Sequence, residues 1–400
     1  MTEVAEGALA RDVATLRDPA VIRARCANVL AAADAGRTAH LAVDRSRLDA
    51  CAAVVADATR RRYPALDIPY HSRWRHFQAG GVDRTAELDR ALAGRDATEA
   101  ALARVDLAIA SVLLDAGAGA SWAYAERETG GRYARSEGLG VASFRAFMAG
   151  AFSSTPDDPC RVDARALAAI DGAMLARIFQ ASAGNPLVGL EGRAALLRRL
   201  GAAVGDRPSA PFRPLLERRG DVAAAEILAV LLDRTSAIWP NGLVLGGVAL
   251  GDVWPHPHAG GEGASAGYVP FHKLSQWLAY SLFEPFERAG CRVVDRDALT
   301  ALPEYRNGGL LLDCGVLALR DPAGAARRHP VGSPLVVEWR ALTVALVDEL
   351  AAHVRRKLGR PGLPLACILE GGTWAAGRET AARLRGGESP LAIDSDGTVF

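Results

Sequence analysis

The chain has 400 residues, half of them apolar, with 47 basic and 46 acidic side chains and a net charge of +1. A near-neutral balance with the signs interspersed argues against a polybasic coat for nucleic acid or for an anionic membrane, and the apolar share is enough for a sizeable core. Met1-Thr2-Glu3-Val4-Ala5-Glu6 lacks the basic and apolar regions of a secretory leader, and no run of about twenty uncharged apolar residues offers a membrane span. Cys26, Cys51, Cys160, Cys291, Cys314 and Cys367 are scattered without a CxxC pair. They predict reduced thiols, many of them core fillers, and a cytoplasmic location.

Apolar residues recur at three- and four-residue spacing along most of the chain, and Ala and Leu abound, which predicts helices. The first covers 17–35, with Ile22, Cys26, Val29 and Leu30 on one face. A second covers 46–61 and stops before Tyr63-Pro64. Pro64 and Pro69 make the piece between them a loop. Helices follow at 85–94 and 97–115, the latter ended by Gly117-Ala118-Gly119. The aromatic-rich stretch 121–137 reads as a connection. Further helices are expected at 142–151, 163–180, 191–204, 221–235, 269–290, 296–302, 307–317, 334–358 and 373–384. The stretch 243–253 is the best strand candidate, although glycine interrupts it, and the Gly/Ala/Ser-rich 255–267 is a loop. No internal repeat and no alternating strand–helix series stands out. The expected fold class is mainly α with a few short strands. It forms a single large helical domain over 1–400, which could also divide into two lobes near 1–205 and 206–400 with the site between them.

Only two of the 47 cations are lysines, Lys273 and Lys357. Lys357 lies in the basic run Arg355-Arg356-Lys357. Lys273 lies in the apolar Phe271-His272-Lys273-Leu274-Ser275-Gln276-Trp277-Leu278-Ala279-Tyr280, where a compact ammonium fits a tight pocket and shifts its pKa when desolvated. A buried cation needs a partner, and Glu304 in Leu302-Pro303-Glu304-Tyr305-Arg306-Asn307-Gly308-Gly309 is the candidate. The plain alternative is a lysine that snorkels to the surface. Lys273, Gln276, Trp277 and Tyr280 share one helix face, which suits a pocket for a polar, partly planar ligand or an ordinary interhelical seam.

His71-Ser72-Arg73-Trp74-Arg75-His76-Phe77 interleaves cations with aromatics and could bind an anion, or form a solvated basic turn around a structural Trp74. Asp115 is either an acid at a helix end or a carboxylate pointed into a cavity. Glu338 and Arg340 open a half-buried helix, in an intrahelical or interhelical ion pair or as a carboxylate–Arg pair lining a pocket. His256 and His258, with no third ligand at a usable spacing, are weak evidence for zinc, and no metal site is expected. No GxSxG elbow, P-loop or HExxH occurs.

Together these segments carry a resemblance. Phe271-His272-Lys273-Leu274-Ser275-Gln276-Trp277, the Leu302 to Asp313 stretch, Val337-Glu338-Trp339-Arg340-Ala341 and Asp396-Gly397-Thr398-Val399-Phe400 resemble a uracil-catabolism family of fungi and bacteria. His71 to Phe77 and Arg135-Ser136-Glu137-Gly138-Leu139-Gly140 belong to the same pattern, so the likeness covers nearly the whole chain. It implies a part in a pathway that breaks uracil down to urea through a ribosylated intermediate. More distantly, the order Phe-x-Lys-x-x-Gln, acid-Tyr-Arg, Glu-x-Arg-Ala, with Gly189 to Gly201, is similar to the queuosine-salvage nucleotide N-glycosidases. Those enzymes hydrolyse the bond between a modified base and ribose 5-phosphate, and the likeness implies a helical glycosylase-like architecture. Glu304 stands where that family has Asp. The implied catalytic residues are Glu304 and Lys273. Glu338 and Arg340 would meet the sugar hydroxyls or the urea; Arg73, Arg75 and Arg306 would hold a phosphate; His71 and Asp115 complete the substrate-binding set. The expected reaction is hydrolysis of a ribosylurea, as its 5-phosphate, to urea and ribose 5-phosphate. No cofactor is required, and the partner is a small ribosylated or nucleotide-like substrate, with no nucleic acid and no membrane. The oligomeric state is left open. An amidohydrolase acting on a ureido intermediate and a non-catalytic nucleotide-binding or scaffold protein are the alternatives.

Overall fold

Helices dominate the chain, and their ends follow local capping chemistry. The computed structural model describes residues 3–115, 117–119, 121–240 and 242–394, with side chains from residue 6 onward. A helix at Glu3–Arg17, absent from the sequence expectation, precedes the expected first one. That one runs Pro19–Asp34: Asp18 caps it by accepting from the Ala20 N–H, and Pro19 sits where no N–H is needed. Pro334–Leu358 matches the sequence expectation and ends at Gly359, whose left-handed φ of 65° suits glycine.

Three departures have local causes. The helix expected over 163–180 is two, Ala164–Ala168 and Gly172–Ile178, because Asp163 and Asp171 each cap a separate start. Residues 221–223 pair in parallel with Arg292–Val294 as a strand before the helix Ala224–Thr235 begins. The stretch 296–302 holds only a 3₁₀ turn, Arg296–Ala298, since Thr300 is drawn into hydrogen bonds with Gln276. The strand candidate 243–253 is a hairpin, Leu243–Leu245 with Val248–Gly251, and the connection 121–137 contains another, Ala123–Ala125 with Arg132–Ala134. Among the described residues every sheet has two strands, so the fold is mainly α. No helix among them is long and apolar enough to cross a membrane.

The chain forms two compact units built from interleaved segments, and neither coincides with the halves 1–205 and 206–400. The first unit comprises residues 3–71, 242–276 and 295–394 of the described chain. Its buried centre is the Pro334–Leu358 helix, packed against Pro19–Asp34 and Leu48–Arg62. Tyr305–Asp313 packs against Trp374–Arg385, which is entered through a π-helical turn, Leu369–Thr373. Gly372 in that turn lies so close to the Leu48–Arg62 helix that a Cβ would stand 2.4 Å from a Val55 methyl. The antiparallel pair Leu41–Val43 with Leu317–Leu319 and the parallel pair Arg328–Pro330 with Ala392–Asp394 close this unit's edges.

The second unit, Ser72–Pro240 with Trp277–Val294, is organised around Ala97–Leu113, a helix buried on nearly every side. Arg135–Met148 and Leu190–Val204 pack against it. Its interior holds charge in matched sets. Glu126 accepts from Nε of both Arg84 and Arg145, at 2.7 and 2.6 Å, and from the Thr129 hydroxyl. Asp106 accepts from Arg207 at 2.6 and 3.0 Å and from the Val162 and Ser209 N–H groups.

Burial alone would raise the Glu126 carboxyl, but Arg84, Thr129 and Arg145 outweigh it and hold its pKa at about 2. Glu126 therefore contributes stability that is complete above its ordinary value near 4.5 and is lost as pH falls towards 2. The loss is on the order of 3 kcal/mol. Glu126→Gln should lower the urea midpoint at neutral pH and flatten the fall of that midpoint through the same acid window. Parallel curves for the two proteins would contradict this.

Candidate functional site

In the first unit two of the expected site residues, Arg340 and Lys273, meet a carboxylate that sequence reasoning passed over. Asp252 follows the Val248–Gly251 strand and is 5% exposed. Both its oxygens accept from Arg340 at 2.7 Å in a bidentate pair. One of them also accepts the Lys273 backbone N–H at 3.0 Å, and the other accepts the Trp254 indole at 2.7 Å. Asp252 thus satisfies an open N–H at the start of the Lys273–Arg288 helix. Arg340 lies 4.2 Å above the Phe271 ring and sends its Nε to the Pro303 carbonyl at 3.3 Å. Burial would raise the Asp252 carboxyl, but Arg340 and the two N–H donors draw it below the ordinary carboxylate range. The signal for Asp252 was present in the sequence: one acid inside the otherwise apolar strand candidate 243–253.

Arg340 thus forks onto Asp252 rather than onto Glu338, two positions earlier on the same helix, because residues so spaced do not face each other. The Glu338 carboxylate accepts the N–H groups of Ala39, His40 and Leu41 at 3.3, 3.0 and 2.7 Å, and His256 Nε2 lies 3.7 Å away. Burial would raise its pKa; His256 and those backbone donors bring it down. His256 is 5.7 Å ring to ring from His258, and among the described residues no group of three His, Cys, Asp or Glu is gathered as a metal site requires.

Glu304, directly after Pro303, caps the Tyr305–Asp313 helix, its oxygens accepting the Arg306 and Asn307 N–H groups at 2.9 and 2.7 Å. Both Lys273 and Glu304 are half-buried. Gln276, which shares the lysine's helix face, is spent on the Phe271 carbonyl and on Thr300, at 2.9 and 2.8 Å. The Arg306 guanidinium lies 4.4 Å from the Trp374 ring centre, and the His71 ring is 5.9 Å from the same indole. His71 Nδ1 meets Glu370 at 2.9 Å, and Glu370 also accepts from Arg62 and the Tyr63 hydroxyl at 3.1 and 3.2 Å. Trp374 and Glu370 were not foreseen. Glu370 sits in the π-helical turn and Trp374 directly after it, and such turns are concentrated at functional sites.

In the second unit Arg73 is fully buried. Its Nε donates to Ser111 at 2.6 Å, and its Nη1 is 3.1 Å from Asp115 and 3.4 Å from the Ser136 carbonyl. Arg75 pairs with Glu284 and donates to Gln78 at 2.8 Å, while Glu284 accepts the Ser72 hydroxyl at 2.6 Å. Burial pushes the Glu284 carboxyl up despite Arg75. Arg73 and Arg75, both expected to hold a phosphate, thus already face carboxylates. The acid in the first turn of Arg135–Met148, Glu137, is half-buried.

These features define a mainly helical protein whose polar interior is built from carboxylate–arginine pairs that fasten helix starts. The chain belongs to the family described as a protein of unknown function (DUF1688), whose model matches residues 15–400. It is 39% identical over 394 residues to Protein urg3 of Schizosaccharomyces pombe, covering 95% of this chain and 96% of that protein. It is 36% identical over 409 residues to Uracil catabolism protein 4 of Lachancea kluyveri, covering 91% and 93%. It is also 30% identical over 205 residues to a queuosine 5'-phosphate N-glycosylase/hydrolase of Sphaerobacter thermophilus, covering 50% of this chain and 55% of that protein. The terminal Asp396-Gly397-Thr398-Val399-Phe400 lies outside the described residues.

Arg340→Met should leave Asp252 buried without its cation and cost about 3–5 kcal/mol of stability. Arg340→Lys, which keeps the charge and loses the fork, should fall between. Urea denaturation of the three proteins tests the order, and an unchanged midpoint for Arg340→Met would count against a pairing role.

Proposed function

We propose that this chain acts in uracil catabolism as a hydrolase of an N-glycosidic bond, splitting a ribosylurea, as its 5-phosphate, into urea and ribose 5-phosphate. The name of the Lachancea kluyveri relative supports the pathway, and the name of the half-length relative supports the bond type. The observation that carries the reading is the Arg340 guanidinium. It reaches the residue before Glu304 with Nε and, through Asp252, the first residue of the lysine's helix. One buried fork thereby ties the two expected catalytic residues to a common frame.

Breaking the C1′–N bond builds positive charge on the sugar, and water supplies the oxygen that replaces nitrogen at C1′. Glu304, aimed by two backbone N–H groups, is suited to face that charge and to orient or deprotonate the water. Lys273 serves as its cationic counterpart or donates a proton to the leaving nitrogen. Arg306, stacked over Trp374, is the cation assigned to the phosphate.

Incubation of the purified chain with ribosylurea 5-phosphate should release urea and a reducing pentose phosphate together. Ammonia release would mark an amidohydrolase, and binding without either product a non-catalytic role. Glu304→Gln should reduce turnover by about 100-fold or more with the helical circular dichroism retained. Normal turnover would remove Glu304 from the chemistry.

A further inference from the structure

The cysteines are scattered in sequence, yet the fold brings two of them together within the first unit. Cys51 lies one turn into the Leu48–Arg62 helix, and Cys314 caps the end of the Tyr305–Asp313 helix. The neighbouring backbone fixes this approach. Val43 pairs with Leu317, and one step further the Asp44 N–H donates to the Val316 carbonyl at 2.9 Å. Gly315, with a left-handed φ of 73°, then turns the chain so that a Cβ on it would stand 3.9 Å from Cγ of Arg47. Cys51 follows Arg47 by four positions and points to the same side, towards the residue before Gly315. There the Cys51 and Cys314 side chains are hydrogen-bond partners.

Their surroundings divide the roles of a reacting and a resolving thiol. Cys51 is fully buried, whereas Cys314 is half-buried, the one cysteine of the six with such exposure. The bond between them pushes the Cys51 thiol up, with burial adding to it, and draws the Cys314 thiol down against its own burial. Arg383 favours the Cys314 thiolate. Asp313 opposes it, but its charge is met by Arg385 at 2.7 and 2.9 Å. Burial pushes the thiols of Cys26, Cys160 and Cys291 up, and Cys367 is buried too. An accessible thiolate with a second thiol at hand is the arrangement that reversible oxidation requires.

We propose that Cys51 and Cys314 form a redox-sensitive pair that hydrogen peroxide converts to a disulfide. The Cys314 thiolate attacks one peroxide oxygen. The O–O bond breaks, the departing hydroxide takes up a proton as water, and Cys314 is left as a sulfenic acid. The Cys51 sulfur then attacks the Cys314 sulfur, the S–O bond breaks, and the oxygen leaves as water with the proton that Cys51 gives up. In sum the two thiols lose two electrons and two protons, and the peroxide is reduced to two waters. The new bond pins the Leu48–Arg62 helix to the end of the helix that Glu304 starts. The pair stands on its own geometry and does not depend on the hydrolase reading.

The test uses the full chain, reduced and then exposed to hydrogen peroxide, with the remaining thiols alkylated and the peptides mapped by mass spectrometry. Two of the six thiols should disappear, a peptide linking Cys51 to Cys314 should appear, and dithiothreitol should restore both thiols. Before oxidation, Cys314 should react with iodoacetamide at least about tenfold faster than any of the other cysteines. In Cys51→Ser, Cys314 should stop at the sulfenic acid and be captured by dimedone. In Cys314→Ser, Cys51 should stay reduced. Retention of all the thiols, a link between other cysteines or between two chains, or oxidation of Cys51 in Cys314→Ser would overturn the pair. Should the buried Cys51→Ser variant not fold, the linkage map of the intact chain decides.

Discussion

The Asp252–Arg340 pair is the interaction on which the first unit's polar geometry depends. Taking two charges out of water is costly, and the cost is met only where alignment is good and the remaining donors and acceptors are used. Here they are: two parallel 2.7 Å bonds join the pair, the Asp252 oxygens take two more N–H groups, and Arg340 adds a carbonyl and an aromatic face. A lysine ammonium has neither the planar fork nor the reach to do this. The chain's preference for arginine thus has a structural use: Arg73, Arg84, Arg193 and Arg340 are all among its largest fully buried side chains.

The buried and half-buried acids follow a common pattern. Asp252, Glu304 and Glu338 each accept backbone N–H groups where a helix or strand begins, so each is a fastening before it is anything else. Asp106 does the same for Val162 and Ser209. Asp115 instead meets the buried Arg73, whose Nη1 lies 3.1 Å away, whereas both Glu338 oxygens are taken by the 39–41 backbone.

Helix positions were legible because their signals are local. The 25-residue Pro334–Leu358 helix carries its own start at Pro334 and stop at Gly359. The split at Asp171 was equally local, yet the apolar period running through it masked the cap. Pairings were not legible. Arg340 was expected in an intrahelical or interhelical ion pair or at a pocket wall, while its partner lies 88 residues away at the end of a strand. Trp374 gained significance only when Arg306 and His71, far apart in the chain, were found at its ring. The candidate cations and acids were visible as residue types; which acid meets which cation is decided by tertiary folding alone.

The wide turn at Leu369–Thr373 has a bearing on how this chain tolerates change in length. Such a turn holds one residue more than an α-helical one. Losing a single residue there would let the helix close into a regular ladder with the residues after it near their present phase, whereas a further residue added there would swing everything after it by roughly 100° about its axis. Trp374 would leave Arg306 and His71, and Gly377, where a Cβ would stand 2.3 Å from the Arg306 carbonyl, would be replaced at that crossing by a bulkier neighbour. Insertions in this segment should therefore be far less acceptable than those in the exposed tips of the molecule, since they alter angular phase as well as span.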